Sequence, residues 1–299
     1  MKKKVITGKA LIDSMNRLDL PNSAVSLWFL GQSGFAVKGG NRIIYFDPYL
    51  SDYLVNFTKG RPDEDPRHQI PPLRPGDVTN ADIVFGSHWH YDHIDPGTVG
   101  VIAGNTPECS FVAPPSARGD LIGYGVPDNR IVTPREGIET SIGDISFTCI
   151  PAAHEELDYS DENGYRYYGY VVKIANVTIY HAGDCIPYDG LVENLSAPDI
   201  DIALLPINGR DYFRLNRGFL GNFTYREAAD LACAIGADLL IPMHFGMHMA
   251  NTERPGNLVD YLVENHPGQR FHVMNPGESI VFTKNTDVAN VIINSPRRT

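Results

Sequence analysis

The chain has 299 residues, with 25 Lys and Arg against 36 Asp and Glu for a formal net charge of −11. Hydrophobic residues make 42% and charged ones 20%, enough apolar matter for one large core and too much for a disordered or fibrous chain. The acidic balance argues against a surface built for nucleic-acid phosphates, which attract cationic proteins.

The chain opens on MKKKVITGKALIDSMNR, a basic cluster with no apolar run behind it, so no signal peptide is expected. No stretch reaches the roughly 18–20 apolar residues of a membrane helix. Neither nucleic acid nor a membrane is an expected partner, and the cytoplasm is the expected compartment. Short strands are predicted over 25–30, 35–38 and 42–46, separated by turns at 31–34 and 39–41. A Pro-rich stretch follows over 57–78, carrying Pro62, Pro66, Pro71, Pro72 and Pro75. It is longer than ordinary connections and reads as a cover over a site, an oligomer contact or a plain insertion.

From residue 81 strands and helices alternate. Strands are predicted over 83–85, 110–113, 130–132 and 145–150, a hairpin over 167–174 and 177–180, and a buried strand over 200–206. Thr224-Tyr225-Arg226-Glu227 is a capping box opening a helix to about residue 235. A strand over 239–241, a helix from Pro255 to about residue 265, and strands over 270–274 and 279–282 complete the series. This order predicts a single α/β domain over 1–299, two mixed sheets between helical layers, with its core at about 25–283 and a peripheral tail at 285–299. The cysteines Cys109, Cys149, Cys185 and Cys233 form no CxxC pair and are expected to be free core residues.

The chemistry concentrates after the strand at 83–85, in Ser87-His88-Trp89-His90-Tyr91-Asp92-His93. On extended chain, residues two apart share a face, so His88 and His90 can grip one ion, with Asp92 and His93 set for a second close by. Imidazole and carboxylate suit zinc, manganese or iron. Four residues are too few for two ions, and His154, Asp184 and His244 stand at later predicted strand ends, where α/β folds place ligands.

The order His-x-His-x-Asp-His, lone His, Asp, final His resembles the metallo-β-lactamase superfamily. That resemblance implies an αβ/βα four-layer sandwich and a hydrolytic site with two divalent metal ions. It implies His88, His90 and His154 on the first metal, Asp92, His93 and His244 on the second, and Asp184 bridging both. Two such ions about 3.5–4 Å apart can share a hydroxide able to attack an ester carbonyl or a phosphodiester phosphorus. Asp92 and Asp184 are the candidate catalytic proton carriers. A cationic pocket in an acidic chain favours a small anionic substrate.

Further motifs, LGQSGF at 30–35, FDPY at 46–49, GYGVP at 123–127, PINGRD at 206–211, GNF at 221–223 and HFGMH at 244–248, resemble the L-ascorbate-6-phosphate lactonase group. This implies cytoplasmic opening of a phosphorylated sugar lactone, manganese as the favoured metal with zinc or iron as alternatives, and a homo-oligomer. Gly246 departs from the family pattern, which carries an acidic residue soon after the final metal histidine. Asn208, Arg210, Arg214, Asn222, His248 and Asn251 are the candidate substrate-binding residues. Guanidinium is a preferred fork for phosphate, which favours Arg210, whereas Arg214 and Arg217 read equally as loop ion pairs. His248 reads equally as a surface histidine, His181 as packing behind the metals, and Cys185 as buried structure. The alternatives are a phosphodiesterase on the same scaffold, of nuclease or N-acylphosphatidylethanolamine phospholipase type, and a metal-binding protein without turnover.

Overall fold

The computed structural model describes residues 6–284 and the backbone of 290–293. Its strands in chain order are β1 (Ala24–Gly31), β2 (Gly34–Gly39), β3 (Arg42–Phe46), β4 (Ile83–Phe85), β5 (Ser110–Val112) and β6 (Ile131–Val132). Then come β7 (Thr140–Ile142), β8 (Ile145–Pro151), β9 (Tyr159–Ser160), β10 (Gly164–Tyr165), β11 (Tyr168–Ile174) and β12 (Val177–His181). The last are β13 (Ile202–Pro206), β14 (Leu239–Met243), β15 (Ser279–Thr283) and β16 (Asn290–Ile293).

They form two mixed sheets, in the orders β16-β15-β1-β2-β3-β4-β5-β6 and β14-β13-β12-β11-β8-β7, with β9 and β10 as a small separate hairpin. In each sheet an antiparallel meander runs into a parallel end, which leaves loops carrying function at the ends of β3, β4, β12, β13 and β14.

Every residue of β1 is buried, which explains its continuous apolar reading. Its alternation divides two cores. Val25, Leu27 and Phe29 face Phe147, Tyr170 and Ile179 of the opposite sheet. Trp28 and Leu30 share the other face with Tyr45 and with Leu11, Ile12 and Met15 of the helix Gly8–Arg17. The N-terminal residues of that helix look merely basic in sequence, yet the buried positions fall at one-, three- and four-residue spacing on a single stripe. On the second sheet, the helix Tyr225–Ala234 starts at Thr224, and both hydrogen bonds of the predicted capping box are present. The helix Pro255–Asn265 packs beside it. No helix of the described residues is long and apolar enough to cross a membrane.

Four expectations need correction. The strand predicted over 270–274 is reduced to one bridge, Leu240 with Phe271, before the chain turns away and His272 bonds Glu278. Residue 130 belongs to a 3-10 turn, and its guanidinium donates to the carbonyls of Ala103, Thr106 and Pro107 at the end of the helix Val99–Asn105. Cys109, Cys149 and Cys185 are buried as expected, but Cys233 is exposed on the last turn of its helix. The tail expected at 285–299 contributes the edge strand β16, and its remaining residues lie outside the described ones.

Candidate metal centre

The strand β4 stops at Phe85, and the motif after it is a loop rather than extended chain. The carbonyl of His90 accepts from the N–H groups of both His93 and Ile94, closing a turn that swings the His93 ring back beside His88 with centroids 4.1 Å apart. His88 Nε2 and His90 Nδ1 stand 2.9 Å apart. The ends of β8, β12 and β14 bring in His154, Asp184 and His244. Two groups of converging ligand atoms result: His88, His90, His154 and Asp184 in one, Asp92, His93 and His244 in the other. Asp184 connects them, its oxygens lying 3.2 Å from His93 Nε2, 3.5 Å from His244 Nε2 and 3.6 Å from His154 Nε2. All seven candidate ligands therefore meet in one place.

Outer hydrogen bonds aim these groups. His93 Nδ1 donates to Asp47 Oδ2 at 2.6 Å, and the Ser87 hydroxyl donates to the same oxygen at 2.6 Å. That hydroxyl can then accept from His88 Nδ1 at 3.0 Å. His154 Nδ1 donates to the Gly221 carbonyl at 3.0 Å. With their Nδ1 atoms engaged, His88, His93 and His154 turn Nε2 inward. Gln32 Nε2 donates to Asp92 Oδ2 at 2.9 Å. Asp95 accepts from the Ser51 N–H and hydroxyl, the Leu50 N–H and the Thr98 hydroxyl, and so locks the histidine loop to the one after β3. Sequence reasoning passed over Asp47, Asp95 and Gln32 as site residues. Their signal was a carboxylate directly after β3, a second one two residues past His93, and a glutamine in the Gly-Gln-Ser-Gly turn.

Backbone strain gathers here. Five described non-glycine residues have left-handed backbone, and four of them, Gln32, Asp47, Glu155 and His244, are at or beside this cluster. The sheets also approach closely: a Cβ on Gly183 would meet Ser87 Cβ at 2.7 Å and the Tyr168 carbonyl at 2.9 Å.

The electrostatics differ across the cluster. Burial pushes the imidazoles of His88, His90 and His154 below the ordinary histidine value, His90 to about 3. Burial acts likewise on His93 and His244, but Asp184 and Asp92 outweigh it and hold both raised, His244 at about 9. The same histidines keep Asp92 and Asp184 well below the usual carboxylate range against their burial.

A cation fits this arrangement. His88 Nε2 and His90 Nδ1 face each other at 2.9 Å, and burial disfavours the charged form of both rings, so no more than one proton is held between them. His93 Nε2 and Asp184 Oδ1 are 3.2 Å apart, buried, and without a hydrogen bond. Nitrogen and oxygen donors without thiolate suit manganese, iron or zinc. Cys185 stays outside the set, its buried thiol pushed up to about 12 and pointed at the Ile186 carbonyl. His181 is packing: its ring stacks on Phe46 at 4.9 Å, Nε2 donates to the Ser33 carbonyl, and Nδ1 accepts from Gly183 N–H.

The cluster floors a cavity of about 420 Å³ that Gln32, Trp89, Tyr91, His248 and Asn251 also line. The Pro-rich stretch supplies part of its wall. Phe57 closes the helix Tyr53–Thr58, Asp63 and Asp65 follow it, and His68 N–H bonds the Met247 carbonyl. Asn251 accepts from Asn208, which accepts from Asn222, so only the first of these three asparagines reaches the cavity.

The arginine anchors expected from the sequence are not in the cavity wall. Arg210 forks onto Glu227 at 2.7 and 2.6 Å and donates to the Asn222 carbonyl. Arg214 bonds Asp211 and the Asn208 carbonyl, and Arg217 donates to the carbonyls of Pro62 and Glu64. Each guanidinium already has acceptors of its own, which removes the reason to hold them for a substrate.

Residues 42–245 match the profile of the β-lactamase superfamily domain. A UPF0173 metal-dependent hydrolase of Pyrococcus furiosus is 30% identical over 268 residues, 86% of this chain and 99% of that one. Among solved structures, Igni18, a metallo hydrolase of Ignicoccus hospitalis, aligns with a TM-score of 0.64 at 22% identity over 88% of this chain and all of that one. An isothiocyanate hydrolase from Delia radicum gut bacteria aligns with a TM-score of 0.65 at 15% identity over 87% and 100% of the two chains. The sandwich fold, the His/Asp cluster that could hold metal and these relatives agree: the chain belongs to the metallo-β-lactamase superfamily and is a metal-dependent hydrolase.

Proposed function

We propose that the protein opens a small lactone, a phosphorylated sugar lactone foremost. The observation that carries the ester chemistry is the pair of ligand groups, His88, His90, His154 with Asp184 and Asp92, His93 with His244, on the floor of one cavity. Two divalent ions held there, manganese by family resemblance, would supply Lewis acidity and a water acidic enough to act near neutral pH. The chain's own residues do the rest. Asp184 and Asp92 are the groups able to take up and return a proton at the floor, and Gln32 holds Asp92 in place. Trp89, Tyr91 and Phe57 exclude water on one side and offer flat faces to a sugar ring. The volume suits a molecule of that size.

The phosphate needs a cation, and we assign it to Arg61, which is not itself on the cavity wall but stands at its rim, over the lining residue Phe57. Its guanidinium lies 4.1 Å over the ring of Phe57, and it makes no ion pair among the described residues. The test is a panel of sugar-phosphate lactones, plain lactones, thioesters and phosphodiesters offered to the metal-loaded protein. Opening of a phosphorylated lactone is expected, with KM about threefold to fivefold higher in Arg61→Ala and little change for the unphosphorylated analogue. Inert lactones alongside rapid cleavage of bis(p-nitrophenyl) phosphate would transfer the assignment to a phosphodiesterase.

A further inference from the structure

We infer that His248 is a specificity-determining residue that accepts a hydrogen bond from a substrate hydroxyl at Nε2, with Asp65 of the Pro-rich segment as its positioning partner. The inference rests on the lactone reading and narrows it to lactones bearing a free hydroxyl.

The imidazole is only 6% exposed. Its Nδ1 lies 2.9 Å from the main-chain carbonyl of Asp65, and a carbonyl can only accept, so Nδ1 carries the proton. Nε2 is then left with a lone pair. That atom is buried, has no hydrogen-bond partner, and belongs to a residue on the cavity wall.

The ring cannot turn to repair this. It stacks on Tyr49 at 5.8 Å, and the Arg67 guanidinium lies 4.0 Å over the same tyrosine. Arg67 and His248 form a backbone bridge, and Asp65 Oδ2 accepts from Ala250 N–H at 2.6 Å, so the two segments are clamped on either side. Burial holds the imidazole below its usual value, in keeping with a neutral ring.

Gln32, also on the cavity wall, carries a second unpaired acceptor. Gln32 donates its amide nitrogen to Asp92, which leaves Oε1 buried and without a partner. A cavity with two fixed acceptors calls for a ligand that brings donors. A ligand hydroxyl would supply the partner this already buried atom lacks and a deoxy lactone would not, a difference worth about threefold to tenfold in binding.

The test uses zinc-loaded protein and D-ribonate with its 2-deoxy and 3-deoxy analogues, ring-opened acids whose binding by calorimetry needs no turnover. Wild type is expected to bind ribonate about threefold to tenfold more tightly than one of the deoxy acids. His248→Asn keeps a donor for the Asp65 carbonyl but leaves nothing at the Nε2 position, and should bring that ratio near one. His248→Gln, which can place an oxygen there, should recover part of it. Nitrogen-15 NMR of the imidazole in wild type should find the proton on Nδ1.

Equal binding of all three acids, no binding of any, a ratio unchanged in His248→Asn, or a proton on Nε2 would overturn the inference. If the ratio follows His248 while no lactone is opened, the lactone reading fails and the hydroxyl acceptor stands.

Discussion

The floor and the wall of the cavity are built by different means. The floor consists of side chains at strand ends: His88, His93, His154, Asp184 and His244 are all buried, and outer partners fix the orientation of His88, His93 and His154. The wall is made of connections: the helix Tyr53–Thr58 with the Pro-rich residues after it, and the segment running to Phe219 and Leu220. These two connections hold each other through Arg217, which donates to Pro62 and Glu64 and covers the Phe219 ring at 5.0 Å. Strand ends give the floor a fixed geometry suited to a conserved type of chemistry. Loops give the wall adjustable content, which is where a substrate is chosen.

The two parts should therefore fail differently. Removing a floor side chain should abolish metal content and turnover together. His90→Ala is expected to lower turnover by more than the 10- to 100-fold typical of an outer partner, read by metal analysis of the purified protein beside hydrolysis. Full metal occupancy with intact turnover would remove His90 from the floor. One step outward, Asp47→Asn keeps the size and tolerates the left-handed backbone of that position but weakens the anionic partner of His93. A loss of about 10- to 100-fold in metal affinity is expected, measured by chelator competition.

A wall change should leave the metals alone. Phe219→Ala removes a ring from the cavity and from Arg217. KM should rise about fivefold, the size of a partly buried aromatic contact, with metal content unchanged and kcat within about twofold. Lost metal in this variant would mean that floor and wall are one mechanical unit.

The same division explains what could be read from the chain alone. Strands β1 to β4 and the β11–β12 hairpin announce themselves because runs such as VSLWFL and YVVKI are buried on at least one face and end at glycine or asparagine turns. The seven floor residues are legible because metal chemistry demands particular residue types at particular spacings. Asp47 and Gln32 sit inside the FDPY and LGQSGF motifs without a role the sequence can assign, since a carboxylate or amide acting through a histidine has no spacing rule. The helix Gly8–Arg17 was missed because its lysine and arginine hid a three-residue apolar stripe. The wall was least legible. Phe57, Trp89 and Phe219 are ordinary apolar residues until the chain is folded, and the side chain that brings two loops together is a single arginine.

Arginine 210 shows the point most sharply, because residue type and motif both favoured it for the substrate. In the fold it ties the loop after β13 to the start of the helix Tyr225–Ala234, through Glu227 and the Asn222 carbonyl. Burial alone would raise the Glu227 carboxyl, but the Arg210 guanidinium and the Thr224 N–H outweigh it and hold the group below its ordinary value of 4.5. A carboxyl lowered by folding stabilises the native state above that value and loses its contribution as pH falls through the folded pKa. Arg210→Ala should therefore cost up to about 1 kcal/mol at neutral pH, a modest figure because the pair is partly exposed. The difference from wild type should shrink as the pH falls well below 4.5, where Glu227 is protonated in both proteins. Denaturant titrations at neutral pH and at about pH 3 measure this directly. KM for a phosphorylated lactone should not change, and a rise in KM without a loss of stability would return Arg210 to the substrate.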